Sequence, residues 1–199
     1  PCNKRQPGSG CSAINGYNRI HAILGTSDQC IATHPSDMCV ALTALDAVIY
    51  VQGISGERSI AFGDFHTLPG NTPQKENTLQ KGELITHIEI PALPFASNST
   101  YLKIRDRSSY EFALASAAVA LEISNGTIKN ARIALGGIGT KPWRAIEAEQ
   151  SLVGKRPAVE VYAFAADLAL KNAKTYKYNA FKTPLAKRII IRALQNTGG

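Results

Sequence analysis

The stretch that decides the fold is CIATHPSDMCVALTALDA, residues 30–47. It predicts a helix that begins at Asp37, because Ser36 can accept a hydrogen bond from the free N–H groups of the first turn. Asp37 adds a negative charge at the positive end of that helix. Apolar residues then recur at helical spacing as far as Ala47. The glycine-rich segment before this helix, residues 1–35, is expected to be an irregular loop.

The rest of the chain alternates short strands with helices, which indicates an α+β fold. Strands are predicted at 48–51, 58–62, 83–90, 100–107, 112–123 and 127–135, and helices at 145–153, 157–173 and 183–195. Asn125-Gly126 predicts a tight hairpin between the last two strands. The two prolines of Pro91-Ala92-Leu93-Pro94 indicate a boundary between two domains, residues 1–91 and 97–199.

Composition narrows the classes of protein. The chain has 199 residues, of which 44% are hydrophobic and 19% charged, as expected for a soluble folded protein. No apolar run reaches the roughly 18 residues that a membrane span needs, and no signal peptide is evident at Pro1. The net charge is +7, but the basic residues are scattered and form no patch interleaved with aromatics. Nucleic-acid binding is therefore not expected.

Three of the four cysteines lie in the loop: Cys2, Cys11 and Cys30. Their spacing is wider than the short knuckle of a structural zinc site. A disulfide, unrelated thiols and a wrapped iron–sulfur cluster remain as alternatives, since a loop can surround a cluster with widely spaced ligands. Cys39 occupies an apolar position of the predicted helix and is interpreted as a buried core thiol.

Several segments, in order, resemble one protein family. They are CIATHPSDMCVALTALDA, GERSIAFGDF, KGELITHIEIP, STYLKIRDRSSYEFALASAAVAL and ARIALGGIGTKPWRAIEAE. Together they are similar to the FAD-binding subunits of the molybdenum hydroxylases, the xanthine dehydrogenase and aldehyde oxidoreductase family. The resemblance implies that residues 1–91 are the second FAD-binding α/β subdomain and that residues 97–199 are the C-terminal domain, an antiparallel sheet with three helices. The family's first FAD-binding subdomain is expected to lie before Pro1.

Within that family, the cysteine loop resembles an insertion typified by bacterial periplasmic aldehyde oxidoreductase. There the flavin subunit carries a [4Fe–4S] cluster as well as FAD. The resemblance implies that Cys2, Cys11 and Cys30 are three of the cluster's four ligands. The fourth ligand is expected upstream of Pro1, and Cys39 falls where the family has a non-ligand residue.

The resemblance also implies seven positions that contact FAD: Thr33, His34, Pro35, Ser36, Asp37, Ile85 and Lys103. A carboxylate such as Asp37 suits the hydroxyls of a ribose or ribityl chain. Without the resemblance, Ser36 and Asp37 could simply cap a helix, Ile85 could pack in a core and Lys103 could be a solvated strand lysine. No catalytic residue is assigned.

The function that the resemblance implies is electron transfer in a molybdenum-containing aldehyde or xanthine-type oxidoreductase. The substrate would be oxidised on a large subunit that holds the molybdenum cofactor. Electrons would pass through the [2Fe–2S] centres of a small subunit to FAD, within a heterotrimer or its dimer. Such a complex would be bacterial, and either periplasmic through export with a partner or cytoplasmic. The alternatives are a non-redox binding module with a degenerate cofactor site and a zinc or disulfide protein.

Overall fold

The computed structural model describes residues 1–198, which form an α+β fold as predicted. The helices are Ser12–Asn15 (α1), Asp37–Ala44 (α2), Phe62–Phe65 (α3), Ile146–Leu152 (α4), Val159–Leu170 (α5) and Lys182–Gly198 (α6). The strands are Val48–Gly53 (β1), Gly56–Ala61 (β2), Leu84–Glu89 (β3), Ser99–Ile104 (β4), Ala115–Ser124 (β5), Thr127–Gly136 (β6) and Trp143–Arg144 (β7).

The strands form two antiparallel sheets. One has three strands in the order β2-β1-β3, and the other has four in the order β4-β5-β6-β7. The predicted hairpin between β5 and β6 is confirmed: Asn125 and Gly126 both have positive φ angles, 53° and 67°, as its tight turn requires. The two-residue strand β7 was not predicted, because a pair of residues carries no periodic signal.

The four-stranded sheet holds the main core. Its strand β5 is buried over most of its length, since α4 and α6 cover one face of the sheet and α2 packs on the other. The helix α5 packs on α4 and α6. Small residues allow α2 to approach closely: Val40 and Ala44 pack with Ala118 and Ala134. A Cβ added at Gly136 would lie 2.4 Å from a methyl carbon of Val40. The glycine is therefore needed for this contact.

The loop of residues 1–35 packs against the C-terminal half of the chain. The backbone N–H groups of Ile23 and Leu24 donate to the carbonyl of Ile138 at 2.8 and 3.0 Å. The buried ammonium of Lys182 donates to the carbonyls of Ile20, at 2.9 Å, and Gly137, at 2.6 Å. The loop is thus ordered by the core of the second sheet as well as by its own contacts.

Several predicted boundaries differ from the structure, most clearly those of two helices. The helix α2 ends at Ala44 and not at Ala47, because Asp46 adopts a left-handed conformation with φ of 52°. The helix predicted at 157–173 covers only Val159–Leu170. Within residues 1–198, no helix has the length and apolar character needed to cross a bilayer.

Candidate functional site

The N-terminus of α2 is the centre of the candidate site. Ser36 caps the helix, and its hydroxyl accepts a hydrogen bond from the N–H of Cys39 at 3.3 Å. The side chain of Asp37, the first helical residue, points to the four-stranded sheet. Its two carboxylate oxygens accept hydrogen bonds from the Tyr101 hydroxyl at 2.7 Å and from the Lys103 ammonium at 2.5 Å.

Strand β4 supplies both partners of Asp37. Tyr101 and Lys103 are two residues apart on this strand, so their side chains leave the same face. Burial, with a contribution from Asp37, raises the pKa of Tyr101, so the phenol remains protonated and donates its proton to the carboxylate. The carboxylate is therefore fixed by two donors, yet it keeps lone pairs that can accept further hydrogen bonds.

Ser36, Asp37 and Lys103 line an open cleft of about 620 Å³. Its walls are Pro35, Ser36, Asp37, Lys103, Tyr110, Glu111 and Phe112. Tyr110 and Phe112 are 93% and 68% exposed, which is unusual for aromatic rings. A second cleft of about 370 Å³ adjoins the first along Pro35, Glu111 and Phe112, and Thr33 lies in its wall.

This arrangement suits one kind of ligand. Exposed aromatic rings can pack against a flat heterocycle, a fixed carboxylate can accept from hydroxyls, and an ammonium can stabilise negative charge. A flavin nucleotide offers all three features: an aromatic ring system that gains negative charge on reduction, and hydroxyl-bearing chains. The residues present therefore fit a flavin.

The structure brings together most of the seven predicted positions. Pro35, Ser36, Asp37 and Lys103 share the first cleft, and Thr33 lines the second, where its hydroxyl donates to the carbonyl of Ile20 at 2.8 Å. The other two lie elsewhere. The ring of His34 turns away toward His66, and Ile85 lies on the edge strand β3, 38% exposed. The roles of His34 and Ile85 as flavin contacts stay predictions.

The three loop cysteines line a separate cleft of about 480 Å³. Cys30 is buried, while Cys2 and Cys11 are partly exposed. Backbone amides surround the sulfurs: the N–H of Ala32 donates to Cys30 Sγ at 3.4 Å, and the amides of Arg5 and Lys4 lower the pKa of the Cys2 thiol. Burial raises the pKa of the Cys30 thiol.

The spacing of these sulfurs bears on the alternatives for the loop. All four cysteines are free thiols in the described structure. The loop sulfurs do not form a group of donors within 4.8 Å of one another in residues 1–198, which is the closeness that one bound ion needs. A four-iron cluster is larger than an ion and holds its thiolates further apart. The role of the loop cysteines as cluster ligands stays a prediction.

A second group of donors lies on the opposite side of α2. Ligand atoms of His34, Cys39 and His66 are within 4.8 Å of one another. Cys39 is only half buried and packs against the edge of the smaller core, so its interpretation as a core thiol is too simple. Burial lowers the pKa of His34, and that of His66 to about 4.

Some of these residues could not be identified by the sequence patterns used above. Tyr101 had a usable signal, since it stands two positions from Lys103 on a predicted strand and must share its face. Phe112 was placed inside a strand, although the strand begins only at Ala115. His66 had no signal, because only the folded chain brings it to His34.

With this geometry established, comparison with known proteins gives the family. Residues 19–93 match the profile of the FAD binding domain in molybdopterin dehydrogenase, and residues 100–197 match that of the CO dehydrogenase flavoprotein C-terminal domain. The chain belongs to the family of FAD-binding subunits of the molybdenum hydroxylases.

Comparison with individual proteins supports the same family assignment. The chain is 44% identical to the aldehyde oxidoreductase FAD-binding subunit PaoB of Escherichia coli over 98% of its own length and 58% of that protein. It is 40% identical to the glyceraldehyde dehydrogenase medium chain of Sulfolobus acidocaldarius over 61% of its length and 41% of that protein. Among solved structures, quinoline 2-oxidoreductase from Pseudomonas putida 86 superposes with a TM-score of 0.70 and 27% identity. That match covers 90% of this chain and 58% of the other. The matched part of the chain thus spans 41–58% of the length of these proteins.

Proposed function

We propose that the chain is part of the flavin- and iron–sulfur-containing electron-transfer subunit of a molybdenum-containing aldehyde oxidoreductase. The observation that carries the proposal is the cleft in which Asp37, fixed by Tyr101 and Lys103, faces the exposed ring of Phe112. The aldehyde class is proposed from the similarity to the E. coli protein, an aldehyde oxidoreductase FAD-binding subunit.

Each residue of the cleft has a proposed task in holding FAD. Asp37 accepts hydrogen bonds from the hydroxyls of the ribityl or ribose part. Lys103 places a positive charge beside the isoalloxazine ring, and Phe112 and Tyr110 pack against flat ring surface. When bound, FAD supplies the capacity to accept electrons and pass them on. The protein's own groups orient it and set the charge around it.

The cysteine loop is proposed to hold a [4Fe–4S] cluster through Cys2, Cys11 and Cys30, with the fourth ligand in sequence upstream of Pro1. Support comes from the shared cleft, from the backbone N–H groups directed at Cys2 and Cys30, and from the basic residues Lys4 and Arg5 in its wall. Amide hydrogen bonds and positive charge both stabilise thiolates and tune a cluster's potential.

The proposed partners are a large subunit that carries the molybdenum cofactor and oxidises the substrate, and a small subunit with [2Fe–2S] centres, in a heterotrimer or its dimer. The proposed domain division is 1–91 for flavin and cluster binding and 97–199 for the C-terminal domain. A periplasmic location, through export with a partner subunit, is proposed from the similarity to bacterial periplasmic aldehyde oxidoreductase.

The flavin proposal is tested by flavin content. The purified protein is denatured, and the released flavin is identified and quantified. FAD is expected from the unmodified protein, and Asp37→Ala should retain much less of it. Asp64→Ala removes an exposed carboxylate from α3, outside the cleft, and should retain the original content. A protein that releases no flavin, or equal retention by both variants, would contradict the assignment.

The cluster proposal is tested by iron and acid-labile sulfide analysis of the subunit together with its upstream segment. Cys11→Ser should abolish both iron and sulfide, whereas Cys39→Ser should leave them in place. Unchanged iron in Cys11→Ser would reject the ligand assignment. Zinc in place of iron would favour the alternative of a zinc protein.

A further inference from the structure

The donor group behind α2 lies outside the flavin cleft, and neither Cys39 nor His66 has a proposed task in flavin or cluster binding. His34 ends the extended segment before α2, Cys39 lies in the first turn of α2, and His66 follows α3 directly. One ligand atom from each of the three lies within 4.8 Å of the other two. His66 is 27 positions from Cys39 and 32 from His34, so no local structure explains why it meets them, and the fold itself creates the group.

From this convergence we propose that His34, Cys39 and His66 form a binding site for a single zinc ion, distinct from the flavin cleft and from the cysteine loop. Two imidazoles and one thiolate are donors that zinc favours, and three protein ligands with one open position are a common zinc arrangement. The proposal does not depend on the proposed electron-transfer function.

The distances are compatible with one ion. Zinc bonds of about 2.1 Å to nitrogen and about 2.3 Å to sulfur, at tetrahedral angles, hold two nitrogens and one sulfur roughly 3.4 to 3.6 Å apart. The donors already lie within 4.8 Å of one another, so rotation of the side chains by small angles closes the site. The rings of His34 and His66 lie in contact edge to face, with centroids 4.5 Å apart and an interplanar angle of 77°.

The burial of the imidazoles needs an explanation that a metal would give. The Nδ1 atom of His34 is buried and has no hydrogen-bond partner in the structure. Leaving a buried polar atom unpaired costs free energy. The aromatic rings of Phe62 and Phe65 surround His66, with centroids 5.5 and 4.9 Å from its ring. This apolar wall limits access of water and strengthens metal bonds inside it.

Charged groups of both signs surround the site. The ammonium of Lys141 donates to the carbonyls of Gly63 and His66, at 3.0 and 3.4 Å, and Lys4 is paired with Glu76. A cleft of about 180 Å³ opens beside His34 and His66, and Glu76 lies in its wall. The Cys39 thiolate supplies one negative charge to the ion, and the cleft leaves room for a water as fourth ligand.

The experiment uses Co²⁺ as a spectroscopic substitute for Zn²⁺. The chain has four cysteines, so a variant with Cys2, Cys11 and Cys30 all changed to Ser keeps Cys39 as its single thiol. Titration of this variant with Co²⁺ should give a thiolate-to-cobalt charge-transfer band that saturates at one equivalent and disappears when Zn²⁺ displaces the cobalt. Absence of the band would overturn the proposal.

Single substitutions then test the ligand set in the same background. Adding Cys39→Ser should abolish the band, and His34→Gln or His66→Gln should each weaken Co²⁺ binding by at least about tenfold. His87→Gln is the matched control, because His87 is an exposed histidine of β3 stacked on Tyr50. A band that survives both His34→Gln and His66→Gln would overturn the proposal.

A measurement on the unmodified chain avoids dependence on the folding of any variant. The chain is loaded with one equivalent of Zn²⁺ and its coordination is measured by X-ray absorption. One sulfur and two imidazole nitrogens are expected around zinc. A shell rich in sulfur would place the ion in the cysteine loop and would overturn the proposal.

Discussion

Asp37 and Lys103 are 66 residues apart in the chain, and their side chains meet with an Oδ2–Nζ distance of 2.5 Å. The pair joins the N-terminus of α2 to strand β4, and so links the segment predicted to bind flavin with the C-terminal sheet. Sequence alone assigned both residues to one ligand by resemblance. The structure shows that the two side chains position each other. The Lys103 ammonium fixes the Asp37 carboxylate, and the carboxylate holds the ammonium at the cleft.

Replacing Lys103 should change the redox behaviour of bound flavin. Lys103→Gln removes a positive charge beside the ring, so negative charge on the reduced flavin is stabilised less. The reduction potential should fall by an amount on the order of tens of millivolts. Spectroelectrochemical titration measures it. Lys129→Gln, at an exposed position on β6, is the control and should leave the potential unchanged. An equal potential in the Lys103 variant would place the ammonium away from the ring.

Loss of Arg144 should destabilise the protein strongly. Its guanidinium pairs with the buried carboxylate of Glu149 and donates to Asp46 at 2.6 Å and to the carbonyl of Thr43 at 3.0 Å. Arg144→Met leaves Glu149 buried without its charge partner, which should cost about 3–5 kcal/mol of the free energy of unfolding. Chemical denaturation measures this quantity.

An exposed ion pair offers a matched control for the Arg144→Met variant. Lys171→Met breaks the exposed ion pair with Glu147 and should change the free energy of unfolding by less than about 1 kcal/mol. Equal free energies of unfolding for Arg144→Met and Lys171→Met would show that the buried ion pair between Arg144 and Glu149 does not stabilise the fold.

Lys182 should give the protein a specific dependence of stability on pH. Burial lowers its pKa from 10.5 to about 8 in the folded state. Between these two values the unfolded chain binds more protons at this residue, so its contribution makes stability rise with pH across that window. Below about pH 8 the buried Lys182 side chain is charged in the folded protein, and the free-energy cost of burying that charge is fully present.

The comparison is between the unmodified protein and Lys182→Met, since other groups titrate in the same range. The difference between their free energies of unfolding should change by up to about 3 kcal/mol between pH 8 and 10.5. Denaturation curves at several pH values measure it. Parallel pH profiles for the two proteins would show that Lys182 keeps an ordinary pKa when folded.

The sequence predicted the elements that carry their own local signals. Ser36 and Asp37 marked the start of α2, and Asn125-Gly126 marked the hairpin, because capping and turn chemistry act between near neighbours. The positions expected to contact flavin came from the family resemblance. Two of them, Asp37 and Lys103, are in direct contact in the structure. The end of α2 was missed, because the left-handed conformation of Asp46 depends on contacts outside the helix, including its pairing with Arg144.

Contacts between distant residues could not be predicted in this way. The ring of His34 faces His66 and not the flavin cleft, because successive residues of an extended segment point to opposite sides. The pairing of Lys182 with the carbonyl of Ile20 likewise depends on how the loop folds onto the second core. Periodicity and capping report local geometry, whereas these contacts depend on tertiary packing.

The most direct test of the flavin assignment is an experimental structure of the protein with FAD bound. FAD should occupy the cleft between α2 and β4, with a ribityl or ribose hydroxyl within hydrogen-bond distance of Asp37. The Lys103 ammonium should face the isoalloxazine ring, and the ring of Phe112 should be in contact with the ligand. FAD bound elsewhere, with Asp37 still engaged only by Tyr101 and Lys103, would contradict the assignment.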